Sequence, residues 1–226
     1  MTGKLAAATE ASRRVKDGQV IGLGSGTTAE LAIEEIGRRI RDESIEIIGI
    51  PTSIRSEKTA LQAGITISSL DEHGELDLTI DGADEIDPAL NLIKGLGGAL
   101  LREKIVAKAS RMELIVADRT KLVDRLGTKV SLPVEIARFS PGYLAMRVSQ
   151  LGCTPRLRMD GSEPFVTDNG NYVIDCKFAL IENPSDLELK IKSITGVVET
   201  GLFIGIADEA IIGMADGSTR SMSKSE

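Results

Sequence analysis

Four acidic side chains stand together where a short, mostly apolar segment ends. The segment Leu76–Ile80 has the composition of a buried strand, and Asp81, Asp84, Glu85 and Asp87 follow it. Ligands of parallel α/β sheets bind outside the carboxyl ends of the strands, so carboxylates placed there face a substrate rather than the core. Three roles fit this cluster: ligands of a divalent metal, acid–base groups that also bind sugar hydroxyls, or a solvated acidic turn.

A lysine, a glycine-rich turn and a helix-borne glutamate come next. Lys94 precedes the run Gly95–Gly98, and Glu103 lies near the start of a predicted helix. The ammonium of Lys94 would compete with a metal ion for the nearby negative charge, which weakens the metal role. A lone glutamate on a helix is more often a surface residue. Together, however, these residues favour a site for an anionic, polyhydroxylated substrate.

The loop Gly24–Thr28 lies between a predicted strand and a predicted helix and has the properties of a phosphate loop. Its glycines permit a tight turn, and its hydroxyls join the free N–H groups of the helix start, where the helix dipole favours an anion. The loop also fits the dinucleotide fingerprint G-x-G-x-x-A. However, the second strand ends at Ile50–Ser53 without the acidic residue that binds a ribose. A Walker loop is excluded because no Gly-Lys-Ser or Gly-Lys-Thr occurs here, and a plain capped turn remains as the alternative.

The composition argues against nucleic acid and membranes as partners. The chain has 226 residues, 27 basic against 34 acidic side chains, a net charge of −7 and 3% aromatic residues. An acidic chain with few aromatic rings is a poor nucleic-acid binder, and its apolar runs are too short to span a bilayer. Its start lacks the apolar region of a signal peptide, and its two cysteines form no disulfide framework. We therefore expect a cytoplasmic protein. The single histidine, His73, excludes multi-histidine zinc sites.

Hydrophobic patterning divides the chain into two parts. Up to Asp118, strands and helices alternate, which predicts a mostly parallel sheet covered by helices. Beyond it the order becomes β-α-β-β-α-β, the ferredoxin-like unit. We therefore predict an α/β fold with one domain over residues 1–130 and 203–226, and a second, α+β domain over residues 131–202 inserted before the last strand. The end of the chain, Ser221–Glu226, is expected to be a frayed tail.

Several segments, in the same order along almost the whole chain, closely resemble the type A ribose-5-phosphate isomerase family. These segments are Gly24–Thr28, Asp81–Glu85, Lys94–Gly97, Arg102–Lys104, Ala117–Asp118 with Lys121, Leu132–Glu135, Val166–Asn171 and Gly196–Phe203. The resemblance implies a Rossmann-like catalytic domain with a ferredoxin-like lid. It also implies interconversion of D-ribose 5-phosphate and D-ribulose 5-phosphate through a cis-enediol, in the non-oxidative branch of the pentose phosphate pathway.

The resemblance also assigns roles to residues of this chain. Glu103 is the base that moves a proton between two carbons, and Asp81 assists ring opening. Asp84 binds hydroxyls, and Lys94 stabilises the enediolate oxygen. The implied substrate-binding residues are Ser25, Gly26, Thr27, Thr28, Asp81, Gly82, Ala83, Asp84, Lys94, Gly95, Leu96, Gly97 and Lys121. The family implies no cofactor, no metal, a sugar phosphate as small-molecule partner, and a homodimer or homotetramer.

Leu96 departs from the family's pattern, in which the glycine run after the lysine is nearly unbroken. Leucine does not adopt a positive φ without strain, so the role of residue 96 is in doubt. We expect its side chain to turn inward and the N–H groups of Gly95 and Gly97 to remain available.

Other functions on similar scaffolds fit the sequence less well. Coenzyme A transfer needs an extended nucleotide pocket, for which 226 residues leave little room. Deamination of an amino-sugar phosphate would use a histidine, and His73 is poorly placed in a turn. A non-catalytic sugar-phosphate sensor would carry a basic recognition helix, which the acidic N-terminal segment does not offer.

Overall fold

The computed structural model describes residues 2–224 and divides them into two compact units. The first unit comprises the described residues of Met1–Ala83, Arg102–Lys121 and Gly205–Glu226. The second comprises Asp84–Leu101 and Leu122–Ile204. One boundary between them falls inside the acidic cluster, between Ala83 and Asp84. No helix in this described part of the chain has the length and apolarity needed to cross a membrane.

Helices and strands alternate along the chain as the hydrophobic pattern predicts. The helices are α1 (Thr2–Ser12), α2 (Thr27–Glu43), α3 (Ile54–Ala63), α4 (Leu100–Lys108), α5 (Pro141–Ser149) and α6 (Pro184–Lys192). The strands are β1 (Val20–Leu23), β2 (Ile48–Pro51), β3 (Thr66–Ile67), β4 (Leu78–Gly82), β5 (Glu85–Ile86), β6 (Leu92–Ile93), β7 (Glu113–Asp118), β8 (Leu132–Ile136), β9 (Thr154–Leu157), β10 (Met159–Asp160), β11 (Glu163–Pro164), β12 (Tyr172–Lys177), β13 (Val197–Thr200), β14 (Leu202–Phe203), β15 (Glu209–Gly213) and β16 (Thr219–Ser223).

A seven-stranded sheet forms the centre of the first unit, in the order β16-β15-β7-β4-β1-β2-β3. Every neighbouring pair in this sheet is parallel except β15 with β16, which is antiparallel. The mostly parallel main sheet that the βαβα alternation predicts is therefore confirmed. Because the strands are parallel, the turns that follow β1, β4 and β7 lie at one edge of the sheet.

Small side chains allow the helices to approach this sheet closely. The alanines Ala7, Ala8 and Ala11 of α1 are completely buried, and α1 contacts α2, β7 and β15. The helix α2 turns Ile33 and Ile36 to the same core, as their helical spacing predicts. These contacts hold the helix starts in place at the sheet edge.

Two strands of this sheet differ from the prediction. The strand β4 continues to Gly82 instead of ending at Ile80, because β7 offers backbone partners for two more residues, Asp81 opposite Ile115 and Gly82 opposite Val116. The predicted frayed tail is also wrong where it is described, since β16 pairs along its whole length with β15. Its exposed, polar side chains give no hydrophobic signal. The last two residues of that tail, Ser225 and Glu226, lie outside the described residues.

The second unit contains a four-stranded antiparallel sheet in the order β13-β8-β12-β9. With α5 and α6 its main elements follow the β-α-β-β-α-β order of the ferredoxin-like unit, as predicted, and β10 and β11 form a small additional hairpin. The sheet and both helices enclose one apolar core, which includes Val134, Val148, Ile174 and Ile191.

The second unit also contains a three-stranded antiparallel sheet, which the sequence did not reveal, in the order β14-β6-β5. Each strand is two residues long, too short to show an alternation of apolar and polar residues. All of its side chains are buried. This sheet fixes the backbone of Asp84 and Lys94, which directly precede β5 and follow β6.

Candidate active site

The turn between β1 and α2 leads into a helix start that is open to an anion. Gly26 is the residue before the helix, its φ is 95°, and no side chain caps the free N–H groups. Gly26 and Thr27 are exposed, while Thr28 is buried. A glycine is needed at this φ, and the open N–H groups and helix dipole favour a negative charge here.

Ser25 is held by a group of hydroxyls that the sequence did not predict. Its Oγ lies 2.8 Å from Thr52 Oγ1 and 2.7 Å from Ser53 Oγ, at the end of β2 and the start of α3. Ser53 is the N-cap of α3, where it accepts a hydrogen bond from the backbone N–H of Ser56. The residues that stand where a dinucleotide fingerprint needs an acid therefore position the turn instead.

Asp81 lies within β4 with 0% of its surface exposed. Its Oδ1 accepts hydrogen bonds from the backbone N–H of Ser25 at 2.9 Å and of Gly82 at 2.6 Å. The approach is possible because residue 24 is glycine: a Cβ there would lie 2.3 Å from Asp81 Oδ1. The structure thus brings the predicted carboxylate and the predicted phosphate loop together.

Glu103 lies in the first turn of α4 and is only 4% exposed. The expectation from a lone glutamate on a helix, a surface position, is therefore wrong. A carboxylate near a helix N-terminus is favoured by the helix dipole, while burial disfavours its charged form. Such a group is well suited to accept and return a proton.

Lys121 ends a short 3-10 helix, Arg119–Lys121, that follows β7. Burial raises the pKa of the nearby Asp118 carboxyl, but hydrogen bonds from Thr120 and the charges of Lys4 and Lys121 outweigh that effect, so the pKa lies below its usual value. Lys4 was missed by sequence reasoning, because a lysine near a helix start carries no motif. Its Nζ donates a hydrogen bond to Thr27 Oγ1 at 2.9 Å.

A cavity of about 500 Å³ opens beside these lysines in the first unit. Its lining includes Gly3, Lys4, Asp118, Arg119 and Thr120. The cavity thus combines a lysine with the edge of the sheet where β7 ends.

In the second unit, two of the clustered acidic residues have structural partners. The carboxylate of Glu85 is fully buried and accepts backbone N–H bonds from Gly127 at 2.6 Å, from Lys129, and from Val130 at 2.8 Å. Asp87 accepts from the backbone N–H groups of Ala89 at 2.9 Å and Asn91 at 2.8 Å, which makes it a turn residue, as expected. Neither carboxylate is therefore assigned to the site.

Asp84 contacts the glycine turn directly. Its Oδ2 accepts a hydrogen bond from the backbone N–H of Leu96 at 2.9 Å. The positive φ values of the turn fall on Gly95, at 102°, and on Gly98, at 80°, and Leu96 is not among the described non-glycine residues with positive φ. A leucine is thus accommodated without strain, but the expectation that its side chain turns inward is wrong, since Leu96 is 44% exposed.

Lys94 is 1% exposed, and its Nζ lies 5.4 Å from the centroid of the Phe203 ring. Its backbone N–H donates to the carbonyl of Gly201 at 2.9 Å. A buried ammonium is costly unless negative charge or hydrogen-bond acceptors compensate it, so this lysine is suited to stabilise an anion.

Within residues 2–224, no three or more histidine, cysteine, aspartate or glutamate side chains are grouped so as to hold a metal ion. The polar groups that the two units do provide are buried carboxylates, a buried ammonium, turns with N–H donors and an open helix start. In an α/β fold, this set of groups defines a protein of the class that binds and transforms a small anionic substrate.

Comparison with known proteins identifies the family. Residues 48–217 match the family described as ribose 5-phosphate isomerase A (phosphoriboisomerase A). The ribose-5-phosphate isomerase A of Bacillus mycoides is 52% identical over 204 residues, which cover 90% of this chain and 91% of that protein. The structure of ribose 5-phosphate isomerase A from Methanocaldococcus jannaschii has 40% identity and a TM-score of 0.93, with 98% of each chain covered.

A structure of D-ribose-5-phosphate isomerase in complex with phospho-erythronic acid has 38% identity and a TM-score of 0.94, with 97% of each chain covered. The chain belongs to the ribose 5-phosphate isomerase A family. The family recognised from the motifs is therefore confirmed, and the chain is an aldose–ketose isomerase.

Proposed function

We propose that this chain interconverts D-ribose 5-phosphate and D-ribulose 5-phosphate with Glu103 as the catalytic base. The activity is the one that its family carries out in the pentose phosphate pathway. The observation that best supports the assignment of Glu103 is its burial in the first turn of α4, at 4% exposure. A buried carboxylate is protected from competing protons of bulk water.

The proposed reaction moves one proton between neighbouring carbons. In the open-chain aldose, the Glu103 carboxylate removes the proton from C2, the electron pair forms a C1–C2 double bond, and the C1 carbonyl oxygen becomes negative. A proton then moves from the C2 hydroxyl to the C1 oxygen. The carbonyl forms at C2, and Glu103 returns its proton to C1. One carboxylate thus serves both transfers.

The other proposed catalytic groups act on oxygens. Lys94, as a buried ammonium, stabilises the negative oxygen of the enediolate, which is the role of an oxyanion site. Asp81 assists ring opening and proton movement at the oxygens, and Asp84 binds hydroxyls. The proposed binding set also includes Gly82, Ala83 and the turn Gly95–Gly97.

The phosphate is proposed to bind in the first unit. The turn from Ser25 to Thr28 offers N–H groups at the start of α2, and Lys121 supplies positive charge. The contact between Lys4 and Thr27 supports Lys4 as a further cation of this subsite. Phosphate at a helix start with local lysines is physically favourable even on an acidic protein.

The remaining expectations stay proposals. We propose that the enzyme needs no cofactor or metal, is cytoplasmic, and forms a homodimer or homotetramer. The division into a catalytic domain, residues 1–130 and 203–226, and a lid domain, residues 131–202, is likewise retained as a proposal. Phospho-erythronic acid, the ligand of the related structure, is proposed to bind this chain as well, because its carboxylate carries negative charge as the enediolate does.

The test is a direct assay of ketose formation from ribose 5-phosphate in excess chelator. Turnover by the wild type is expected to be unaffected by the chelator. An inactive wild type would refute the isomerase assignment, and restoration of activity only by added metal would refute the mechanism.

Glu103→Gln tests the assignment of the base. The amide keeps the size of the side chain but cannot accept the proton, so kcat is expected to fall by about 100-fold or more while substrate still binds. Glu113→Gln is the matched control, because Glu113 is also a buried glutamate of the first unit but lies on β7, outside the proposed site. A wild-type kcat for Glu103→Gln would mean that another group is the base.

A further inference from the structure

The guanidinium of Arg158 joins the glycine turn to β12. Its Nη1 donates hydrogen bonds to the carbonyl oxygens of Gly95 and of Leu96, both at 3.0 Å. Its Nε donates to Asp175 Oδ2 at 2.9 Å, and its Nη2 donates to Asp175 Oδ1. Asp175 is a residue of β12, in the middle of the four-stranded sheet. The turn is therefore fastened to a rigid element through one side chain.

These contacts fix the orientation of two peptide groups. In a trans peptide, the C=O and the following N–H point in opposite directions. Since the Gly95 carbonyl faces Arg158, the N–H of Leu96 faces away from it, and this N–H is the one that Asp84 accepts at 2.9 Å. The Leu96 carbonyl faces Arg158 too, so the N–H of Gly97 also points away from the guanidinium.

The site suits arginine and not lysine. The planar fork of arginine can bind a carboxylate with two N–H groups while a third nitrogen reaches elsewhere, whereas a lysine ammonium is a single point charge. The side chain of Arg158 is 13% exposed, so the lost bonds would not be fully replaced by water. The Phe165 ring, 5.5 Å from the guanidinium carbon, covers it, and the same ring would lie 2.5 Å from a Cβ at Gly98.

We propose that Arg158, held by Asp175, is a positioning residue for the isomerase reaction. By binding the Gly95 and Leu96 carbonyls, it orients the Leu96 N–H toward Asp84 and the Gly97 N–H toward the substrate oxygen that becomes negative. The inference rests on the proposed function, since it takes the turn and Asp84 as parts of the substrate site. Preorganised N–H donors of this kind stabilise charge that develops in the transition state.

The test compares Arg158→Lys with the wild type in kcat, KM and the Kd of phospho-erythronic acid. Because the oriented groups act on the developing charge, kcat is expected to fall by about 10- to 100-fold while KM changes by less than about threefold. The Kd of phospho-erythronic acid is expected to rise by a factor similar to the loss in kcat. Rates are expressed per folded protein, from urea unfolding of each variant.

Arg138→Lys is the matched control. Arg138 also binds a carbonyl in the second unit, that of Gly170, and also stacks on an aromatic ring, Tyr172 at 5.2 Å, but it contacts no residue of the proposed site. Its kcat is expected to equal that of the wild type. Asp175→Asn provides a second variant should Arg158→Lys fail to fold, with an expected loss in kcat of about three- to tenfold.

The outcomes separate the two proposals. An active wild type with Arg158→Lys and Asp175→Asn both within about twofold of Arg138→Lys in kcat overturns the positioning role alone. A rise in KM without loss of kcat also overturns it, because the turn would then bind substrate and transition state equally. A wild type without isomerase activity overturns the proposed function, and the inference with it.

Discussion

Gly24→Ala tests whether the close contact between the phosphate loop and the buried carboxylate of Asp81 is required. A Cβ at residue 24 would lie 2.3 Å from Asp81 Oδ1 and 2.4 Å from both its Cα and Cγ. Ordinary van der Waals contact begins at 3.4 Å, so relief needs a separation of about 1.0 Å (3.4 minus 2.4) between the end of β1 and β4. One of the three atoms belongs to the backbone of β4, so a side-chain rotation alone cannot relieve the clash.

That separation would break two hydrogen bonds. The bond from Gly24 N–H to the Ile80 carbonyl is 2.9 Å long, and so is the bond from Ser25 N–H to Asp81 Oδ1. Lengthened by 1.0 Å, both would exceed hydrogen-bond distance. A neutral bond contributes about 1 kcal/mol and a bond to a carboxylate about 2 kcal/mol, so the free energy of unfolding should fall by about 3 kcal/mol.

Urea unfolding and kinetics are the assays. With a denaturant slope of about 2 kcal/mol per molar urea, a loss of about 3 kcal/mol lowers the midpoint by about 1.5 M. A displacement of about 1 Å at a catalytic group can reduce kcat by about 100-fold. Gly142→Ala is the control, because a Cβ at this position in α5 meets no atom within 4 Å. A midpoint shift for Gly24→Ala no larger than that of the control would refute the reasoning.

Two further predictions concern the lysines near the end of β7. Lys121→Met should raise KM by about tenfold and leave kcat within about twofold, because a phosphate contact binds substrate and transition state alike; an equal loss in kcat at saturation would contradict a binding role. Asp118 has a folded-state pKa below its usual value of about 3.9, so it contributes stability that is present above that pH and is lost as the pH falls through the folded pKa. Asp118→Asn should therefore lose less stability than the wild type between about pH 5 and pH 2 in thermal melts, and identical acid profiles would count against the shift.

The sequence predicted the main sheet well because its strands are apolar and regularly separated by helices. Parallel strands that are buried on both faces give continuous apolar runs such as Glu113–Ala117, and these need no alternation to be recognised. The six main elements of the ferredoxin-like unit were also found in order. The small sheet of β5, β6 and β14 was missed, because a two-residue strand contains no period.

The candidate site was predicted in its residues more than in its geometry. Asp81 was expected after a strand and lies within one, since the length of β4 depends on partners in β7 that are distant in sequence. Lys4 and Arg158 were missed because their contacts, to Thr27 and to the Gly95 and Leu96 carbonyls, join segments that no motif connects. Leu96 was expected to face inward, but the strained φ values fall on its glycine neighbours.

The acidic cluster shows why residue type and spacing alone do not assign chemistry. Its four carboxylates are close in sequence, yet each one binds the backbone of a different segment. Asp81 accepts from the turn before α2, Asp84 from the turn after Lys94, and Glu85 from residues 127–130. A carboxylate whose two oxygens already accept three backbone N–H groups, as in Glu85, stabilises a fold and is poorly placed to accept a proton from a substrate. Asp81 and Asp84 each contact a segment proposed to bind the substrate, and this difference in partners, not the shared acidity, makes them the catalytic candidates.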